Sequence, residues 1–368
     1  MADKINLMLL FGGQSEEHEV SLMSCASVLK YIDTSKYNIY CVGITKKGQW
    51  RLFDGDYELI GKGRWEQHSK PIVFPGDPSF GGFFLLDDPS KIYPVDVAFP
   101  VMHGPHAEDG TLQGLFELAN IPYVGCQVAS SALCMDKWLT KAVFKANGIP
   151  CCEYMLVLKD EAINHPQVTI GKIKARFNYP VFVKPANLGS SVGINKAKDD
   201  ESLLKALIEA GKYDRKILVE EFIDCREIEC SVLGNDDPIA SAPGEIVPSN
   251  DFYDYNAKYI DGTSGLLIPA PIDESVAYQI KDLAIKAYKA LDCSGMARVD
   301  FFLEKNTGRI LVSEINTIPG FTSISMYPKL LEASGLAYGD LIENLIVLAF
   351  ERSKKGDLYI GHKADRYI

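Results

Sequence analysis

The stretch 184-KPANLGSSVG-193 admits two readings, and the choice between them decides the fold. Gly189, Ser191 and Gly193 fit G-x-S-x-G, the pattern of a nucleophile elbow. The same residues form a small, glycine-rich loop whose backbone N–H groups could approach a phosphate. An elbow needs a strand running straight into the serine and a helix leaving it. Here the strand YPVFVKP (179–185) ends several residues before Ser191, and VGINKA (192–197) after it is strand-like. The next helical pattern starts only near Asp199. A triad would continue with an acid and then a histidine, yet only His362 follows Ser191. The loop therefore joins two strands. Backbone capture of phosphate suits it better than nucleophilic attack, and an ordinary polar hairpin is the alternative.

Composition sets the outer bounds. At 368 residues the chain is comfortable for two or three domains. Apolar residues make up 47% and charged residues 24%, an ordinary globular balance. The net charge of −11 argues against a broad nucleic-acid or anionic-membrane surface. The apolar run from Ile5 to Phe11 is too short for a signal segment and reads as a buried strand. No stretch approaches the ~20 apolar residues of a membrane span. The nine cysteines are scattered without CxxC spacing, which suggests reduced, mostly buried thiols.

The first third alternates strand and helix: INLMLLF, a helix over EVSLMSCASVLKYID, YNIYCVGIT, VDVAFPVM, a helix over TLQGLFELAN, and IPYVG as a fourth strand. That alternation predicts a parallel sheet with helices on its faces. Residues from about 54 to 91 are rich in Gly, Pro and Asp and read as an insertion. One long helix is expected over about 129–147, with Gly148 ending it. The rest alternates and then becomes strand-rich, with a polar and aromatic stretch at PSNDFYDYNAKYIDGTSG (248–265) and a C-terminal helix.

In 295-GMARVDFFLEKNTGRILVSEINTIPG-320 two strands flank the turn signal KNTG. If Glu304 pairs with Ile310, Asp300 lies opposite Glu314, and alternation puts Arg298, Asp300, Glu314 and Asn316 on one face. Two carboxylates and an amide oxygen suit Mg²⁺, and Arg298 beside them would be a fixed cation for phosphate or an oxyanion. A solvated hairpin face is the rival reading. Lys184, ending an apolar strand, needs an anionic partner, which phosphate would supply. The acids of LVEEFI and Glu227 could meet a ribose, or be merely solvated. Glu16, Glu17 and Glu19 could complement a helix dipole or hold an ammonium group. His103, His106, Glu108 and Asp109 resemble a zinc cluster in composition only, and HxxH in a Gly- and Pro-containing loop is weak evidence for one.

Together these segments resemble the D-alanine:D-alanine ligase family of the ATP-grasp superfamily. The resemblance runs through GGQSEEHEVSL, HGPHAEDGTLQGLFELANIPYVG, MDKWLTK, VFVKPANLGSSVG, VEEFIDCREIE, FYDYNAKY, GMARVDFF and SEINTIPGFTSISMYPKL. It implies an α/β fold of three domains, α+β in its C-terminal part: a Rossmann-like N-terminal domain (1–128), a central ATP-grasp subdomain (129–222) and a C-terminal one (223–368) with a closing loop over 247–265. It implies ATP and two Mg²⁺ or Mn²⁺, two D-alanine substrates, a D-alanyl phosphate intermediate, and a place in peptidoglycan precursor synthesis in a bacterial cytoplasm. A homodimer is also implied.

By that resemblance Lys137, Lys184 and the loop with Gly189, Ser191 and Val192 would hold phosphates. Glu220, Glu221, Phe222, Ile223 and Glu227 would hold adenosine, and Asp300, Glu314 and Asn316 the metal ions. Glu17 would take the first ammonium with His103 nearby, and Ser190 would link Glu17 to Tyr259. Arg298 and the Gly320 N–H would form an oxyanion hole. Lys258 and Ser325 would hold the second carboxylate. Tyr259 and Met326 are compatible with D-alanine as second substrate. D-lactate or D-serine, or a non-catalytic nucleotide-binding protein of the same fold, are the alternatives.

Overall fold

The apolar run at the N-terminus becomes a strand buried along most of its length, because residues packed on both faces need no polar alternation. In the computed structural model, β1 (Ile5–Gly12) is followed by α1 (His18–Tyr31) and β2 (Tyr37–Ile44), and β1 and β2 pair in parallel. The structure describes residues 4–187, 189, 193–247 and 265–360, the residues 354–360 in their backbone only.

The segment read as an insertion is instead an extension of this sheet. β3 (Trp50–Phe53), α2 (Glu58–Gly61), β4 (Ser69–Val73), β5 (Gly82–Leu85) and β6 (Asp88–Pro94) follow β2 as an antiparallel meander. Its Gly, Pro and Asp residues punctuate short strands. β7 (Val97–Pro100) returns to the far side of β1, giving the order β6-β5-β4-β3-β2-β1-β7. α3 (Thr111–Ala119) follows. The expected fourth parallel strand shrinks to one bridge between Ala98 and Tyr123.

The single helix expected next is two: α4 (Val128–Met135) and α5 (Lys137–Ala146). Asp136 breaks it, adopting an extended backbone and accepting from the N–H groups of Trp138 and Leu139 as the N-cap of α5.

β8 (Tyr154–Leu158), α6 (Lys159–Asn164), α7 (Pro166–Lys174), β9 (Val181–Pro185), β10 (Asn195–Ala197), α8 (Asp200–Tyr213) and β11 (Lys216–Glu221) form an antiparallel sheet, β10-β9-β11-β8. β9 and β10 are antiparallel neighbours, so the opening stretch connects two paired strands and not a strand to a helix. Alternation sorts the faces. Val181, Val183, Ile217 and Val219 pack under Leu203, Leu207 and Ala210 of α8 and Ile170 and Ile173 of α7. Phe182, Lys184, Leu218 and Glu220 take the other face.

The third sheet contains β12 (Cys225–Leu233), β13 (Ile239–Ala240), β14 (Gly244–Val247) and β15 (Gly265–Leu267), then β16 (Met296–Glu304) and β17 (Ile310–Asn316) beyond α9 (Glu274–Ala290). Ile228, Cys230, Val299, Phe301, Val312 and Ile315 pack against Ile280, Ala284 and Tyr288 of α9. Each such buried side chain contributes ~1.5–3 kcal/mol, so a one-residue slip that turned this row to water would cost far more than it could regain. α10 (Met326–Ala333) and α11 (Tyr338–Ile360) close the chain. Leu341, Leu345 and Ile346 of α11 share one core with Leu7, Leu9 and Phe11 of β1 and with Ile318 and Phe321. The segment after β17 is thereby locked to the N-terminal sheet. Among the described residues no single helix is long and apolar enough to cross a membrane.

Candidate active site

The face of the third sheet turned away from α9 carries the polar residues. Asp300 pairs with Glu314 and Arg298 with Asn316, as the expected register requires. The turn does not follow that register: Leu303, not Glu304, pairs with Ile310, and Glu304 meets Arg309. A bulge reconciles the two. Phe301 pairs with Val312 and Asp300 with Glu314, so Ser313 is an extra residue. Without it Asp300 would face Ser313 and Glu314 would point into the α9 core. The bulge is what sets the two carboxylates opposite each other.

Arg298 donates through Nε and Nη2 to the two oxygens of Asp300, both at 2.7 Å. Its Nε also lies 3.0 Å from Glu229 on the neighbouring strand β12. Asn316 donates Nδ2 to Asp300 at 2.9 Å. Lys137, at the start of α5, brings its Nζ to 3.6 Å from Glu314. Among the described residues no three His, Cys, Asp or Glu side chains converge as a metal cluster. A divalent ion here would take two carboxylates and an amide, with substrate oxygens and water completing its shell. That donor set fits Mg²⁺, which keeps several non-protein oxygens.

Facing it, the second sheet carries Lys184, whose Nζ lies 2.6 Å from Glu220 Oε2, and Lys141 of α5 reaches Oε1 at 3.1 Å. All three are buried. Burial alone would raise the Glu220 pKa, but the two ammoniums outweigh it and hold the carboxyl down to about 2. Lys184 thus has a protein anion as well as any phosphate it meets. Cys152, whose thiol burial pushes up to about 12, lies 3.3 Å from Lys141. It packs with Ile223 and Leu311, and with Phe302, in a small apolar cluster. Glu221 accepts the Glu153 N–H at 2.8 Å. Phe222 lies under the Lys196 ammonium, 3.7 Å from the ring centroid. Glu227 sits on the polar face of β12, opposite Phe302.

At the third corner, Glu17 is buried just ahead of α1. Two glycines let loops reach its carboxylate. A Cβ on Gly104 would lie 3.1 Å from Glu17 Oε2 and 2.6 Å from Ser15 Oγ, and one on Gly189 3.4 Å from Oε2. His103 places Nδ1 3.0 Å from the Ile318 carbonyl and Nε2 3.2 Å from Ser24 Oγ. Burial pulls its pKa down against the pull of Glu17, so the ring is neutral: Nδ1–H donates and Nε2 accepts from Ser24. Both ring nitrogens are engaged by protein groups. Glu108 accepts from Gly104 N–H at 2.7 Å and Ile318 N–H at 3.1 Å, and burial with the neighbouring Glu17 charge pushes its pKa up to about 8. Asp109 accepts from the His106 and Thr111 N–H groups. The HxxH segment therefore spends its carboxylates on backbone.

Ser325 Oγ accepts the Thr322 N–H at 3.0 Å and would lie 2.7 Å from a Cβ on Gly320. Met326 is buried with Ile246 and Leu330 beneath β14. Ser190, Ser191, Val192, Lys258 and Tyr259 lie outside the described residues, as does the closing loop over 248–264. Sequence reading overlooked Lys141, Glu229 and Ser24. Lys141 follows Lys137 by one helical turn, and Glu229 follows Glu227 by one strand repeat, so both periodicities were present.

The chain matches two family models, "D-ala D-ala ligase N-terminus" over residues 6–126 and "D-ala D-ala ligase C-terminus" over 143–347. It is 55% identical over 351 residues to the D-alanine–D-alanine ligase of Thermoanaerobacter sp. (strain X514), covering 95% of this chain and 97% of that one. It is 50% identical over 366 residues to that of Acetivibrio thermocellus, covering 96% and 97%. Among solved structures it resembles the VanG D-Ala:D-Ser ligase from Enterococcus faecalis, with a TM-score of 0.86 and 39% identity over 94% of this chain and 100% of that one. The D-alanine-D-alanine ligase from Coxiella burnetii gives 0.84 and 40% over 97% and 98%. A polar face of paired carboxylates, a lysine-lined sheet opposite it and a match along nearly the whole length place this chain in the D-alanine–D-alanine ligase family.

Proposed function

We propose that this chain joins two D-alanine molecules at the expense of ATP, supplying the dipeptide for peptidoglycan precursor synthesis. The carboxylate of the first D-alanine attacks the γ-phosphorus, ADP leaves, and an acyl phosphate forms. The amine of the second attacks the acyl carbon, and phosphate departs with one original carboxylate oxygen. The observation that carries this reading is the convergence of Arg298, Asp300, Glu314 and Asn316 on one face, with Lys137 at its edge.

A carboxylate and a triphosphate repel, so the site must place positive charge between them. Lys137 and Lys184 hold phosphate oxygens, with Gly189, Ser191 and Val192 of the hairpin tip. Asp300, Glu314 and Asn316 hold Mg²⁺ or Mn²⁺, which when bound neutralises charge on the transferring group. Glu17 takes the first ammonium. Arg298 and the Gly320 N–H stabilise the oxyanion of the tetrahedral intermediate. Ser325 and Lys258 orient the second carboxylate. Ser190 links Glu17 to Tyr259 when the closing loop shuts, which protects the acyl phosphate from water. Phe222 and Ile223 flank the base, Glu221 lies beside them, and Glu227 meets the ribose. The Glu220 carboxylate, engaged by two lysines, acts on the nucleotide through Lys184.

The reading divides the chain near 128 and 222, which three separate sheets support. A homodimer in the bacterial cytoplasm goes with it. D-alanine is the second substrate, with Tyr259 and the apolar Met326 as support. Incubation with Mg²⁺-ATP and D-alanine, alone or beside D-serine or D-lactate, tests it by product mass. Alanyl-alanine as main product supports the reading. A mixed product formed in preference overturns the second-substrate assignment, and no D-alanine-dependent ADP overturns the ligase.

A further inference from the structure

Gly320 lies in a segment whose flanking peptides are held from outside. Two residues before it, Glu108 accepts the Ile318 N–H at 3.1 Å and His103 Nδ1–H donates to the Ile318 carbonyl at 3.0 Å. One residue after it, Ser24 Oγ accepts the Phe321 N–H at 3.3 Å, and the Tyr338 hydroxyl donates to the Phe321 carbonyl. Ser24 in turn donates to His103 Nε2. Ser24 comes from α1 and His103 and Glu108 from the loop between β7 and α3, while the segment they hold leaves the third sheet. Ile318 and Phe321 are themselves fully packed in the core shared by the two.

We infer that Ser24, His103 and Glu108 are positioning residues that clamp residues 318–321 and so aim the Gly320 N–H at the developing oxyanion. The inference rests on the reading of Gly320 as an oxyanion donor. An oxyanion donor works only when it is fixed before the charge develops. A lone loop between a strand and a helix would not fix it. The clamp also assigns His103 a task apart from substrate contact, since both its ring nitrogens are occupied by Ile318 and Ser24. Glu108 must accept twice, because both groups facing it are N–H donors.

Glu108→Gln keeps the shape but sets an NH₂ against one of those two donors. Ser24→Ala removes one hydroxyl and with it the contacts to His103 and the Phe321 N–H. In both variants amide hydrogen exchange of a peptide spanning 316–322 should accelerate about tenfold or more, with the rest of the chain unchanged. kcat should fall about ten- to a hundredfold, with the KM for ATP within about twofold. A phosphinate with tetrahedral phosphorus in place of the attacked carbon should lose affinity in parallel. Exchange at 316–322 equal to wild type in both variants overturns the clamp. Faster exchange with undiminished phosphinate affinity overturns its role in aiming Gly320. A wild type that forms no dipeptide overturns the ligase reading instead, and exchange still decides whether the clamp exists.

Discussion

Replacing Glu220 with glutamine leaves two buried ammonium groups, Lys141 and Lys184, without the anion that sits 3.1 and 2.6 Å from them. The cost follows from the carboxyl itself. Its pKa falls from an ordinary 4.5 to about 2 in the fold, a preference for the charged form worth roughly 3 kcal/mol at neutral pH. Breaking a buried ion pair by removing one partner gives a similar figure, about 3–5 kcal/mol. That is a large part of the ~5–15 kcal/mol that holds a typical domain together. The pH dependence has a defined sign. A depressed carboxyl stabilises the fold above the unfolded value near 4.5, and the stabilisation is lost as pH falls toward and through 2. Urea unfolding of wild type and Glu220→Gln should therefore differ by about 3 kcal/mol at pH 7 and by about 2 kcal/mol at pH 3.5. Adding Lys141→Met to Glu220→Gln should recover part of the loss, because one unpaired buried cation is then gone. A difference under about 1 kcal/mol at pH 7, flat to pH 3.5, would refute the account of this triad.

Other perturbations have equally specific outcomes. Gly104 has φ +77, and an added methyl would press on Ser15 and Glu17, so Gly104→Ala should raise the KM for the first D-alanine about tenfold or more while ATP binding holds. Asp136→Ala removes the α5 N-cap and the ion pair with Lys216, and should lower unfolding free energy by about 2 kcal/mol in urea titration. Arg298→Lys keeps the charge but loses the two-pronged contact with Asp300, and should reduce kcat about a hundredfold or more with ATP affinity within about threefold.

Much of this site could be read before any coordinates, and the failures have physical causes. Alternation alone put Arg298 with Asp300 and Glu314 with Asn316, because strand side chains repeat every two residues. The assumed turn register was wrong by one residue, and the bulge at Ser313 cancelled that error at the site. A bulge leaves no mark in an apolar pattern when the extra residue is a small polar one. The N-cap signal of Asp136 was present, but apolar spacing continued on both sides and masked it. Segment 54–91 carried turn residues at the density of a loop, yet they separate strands joined by two to four pairs each. Glu220 was visible as an acid ending an apolar strand. Which cations reach it depends on α5 crossing that sheet, and no local pattern encodes the crossing. Likewise, His103 was singled out for substrate, while its partners Ser24 and Ile318 are distant in sequence.

The central claim is a ligation that passes through an acyl phosphate, and isotope transfer tests it most directly. D-alanine labelled with ¹⁸O in its carboxylate is incubated with the enzyme and Mg²⁺-ATP, and the released phosphate and dipeptide are weighed by mass spectrometry. The account predicts one ¹⁸O in each phosphate for every dipeptide formed, because the carboxylate oxygen that attacks the γ-phosphorus leaves with it. Phosphate carrying no ¹⁸O, or ADP formed without D-alanine, would contradict it.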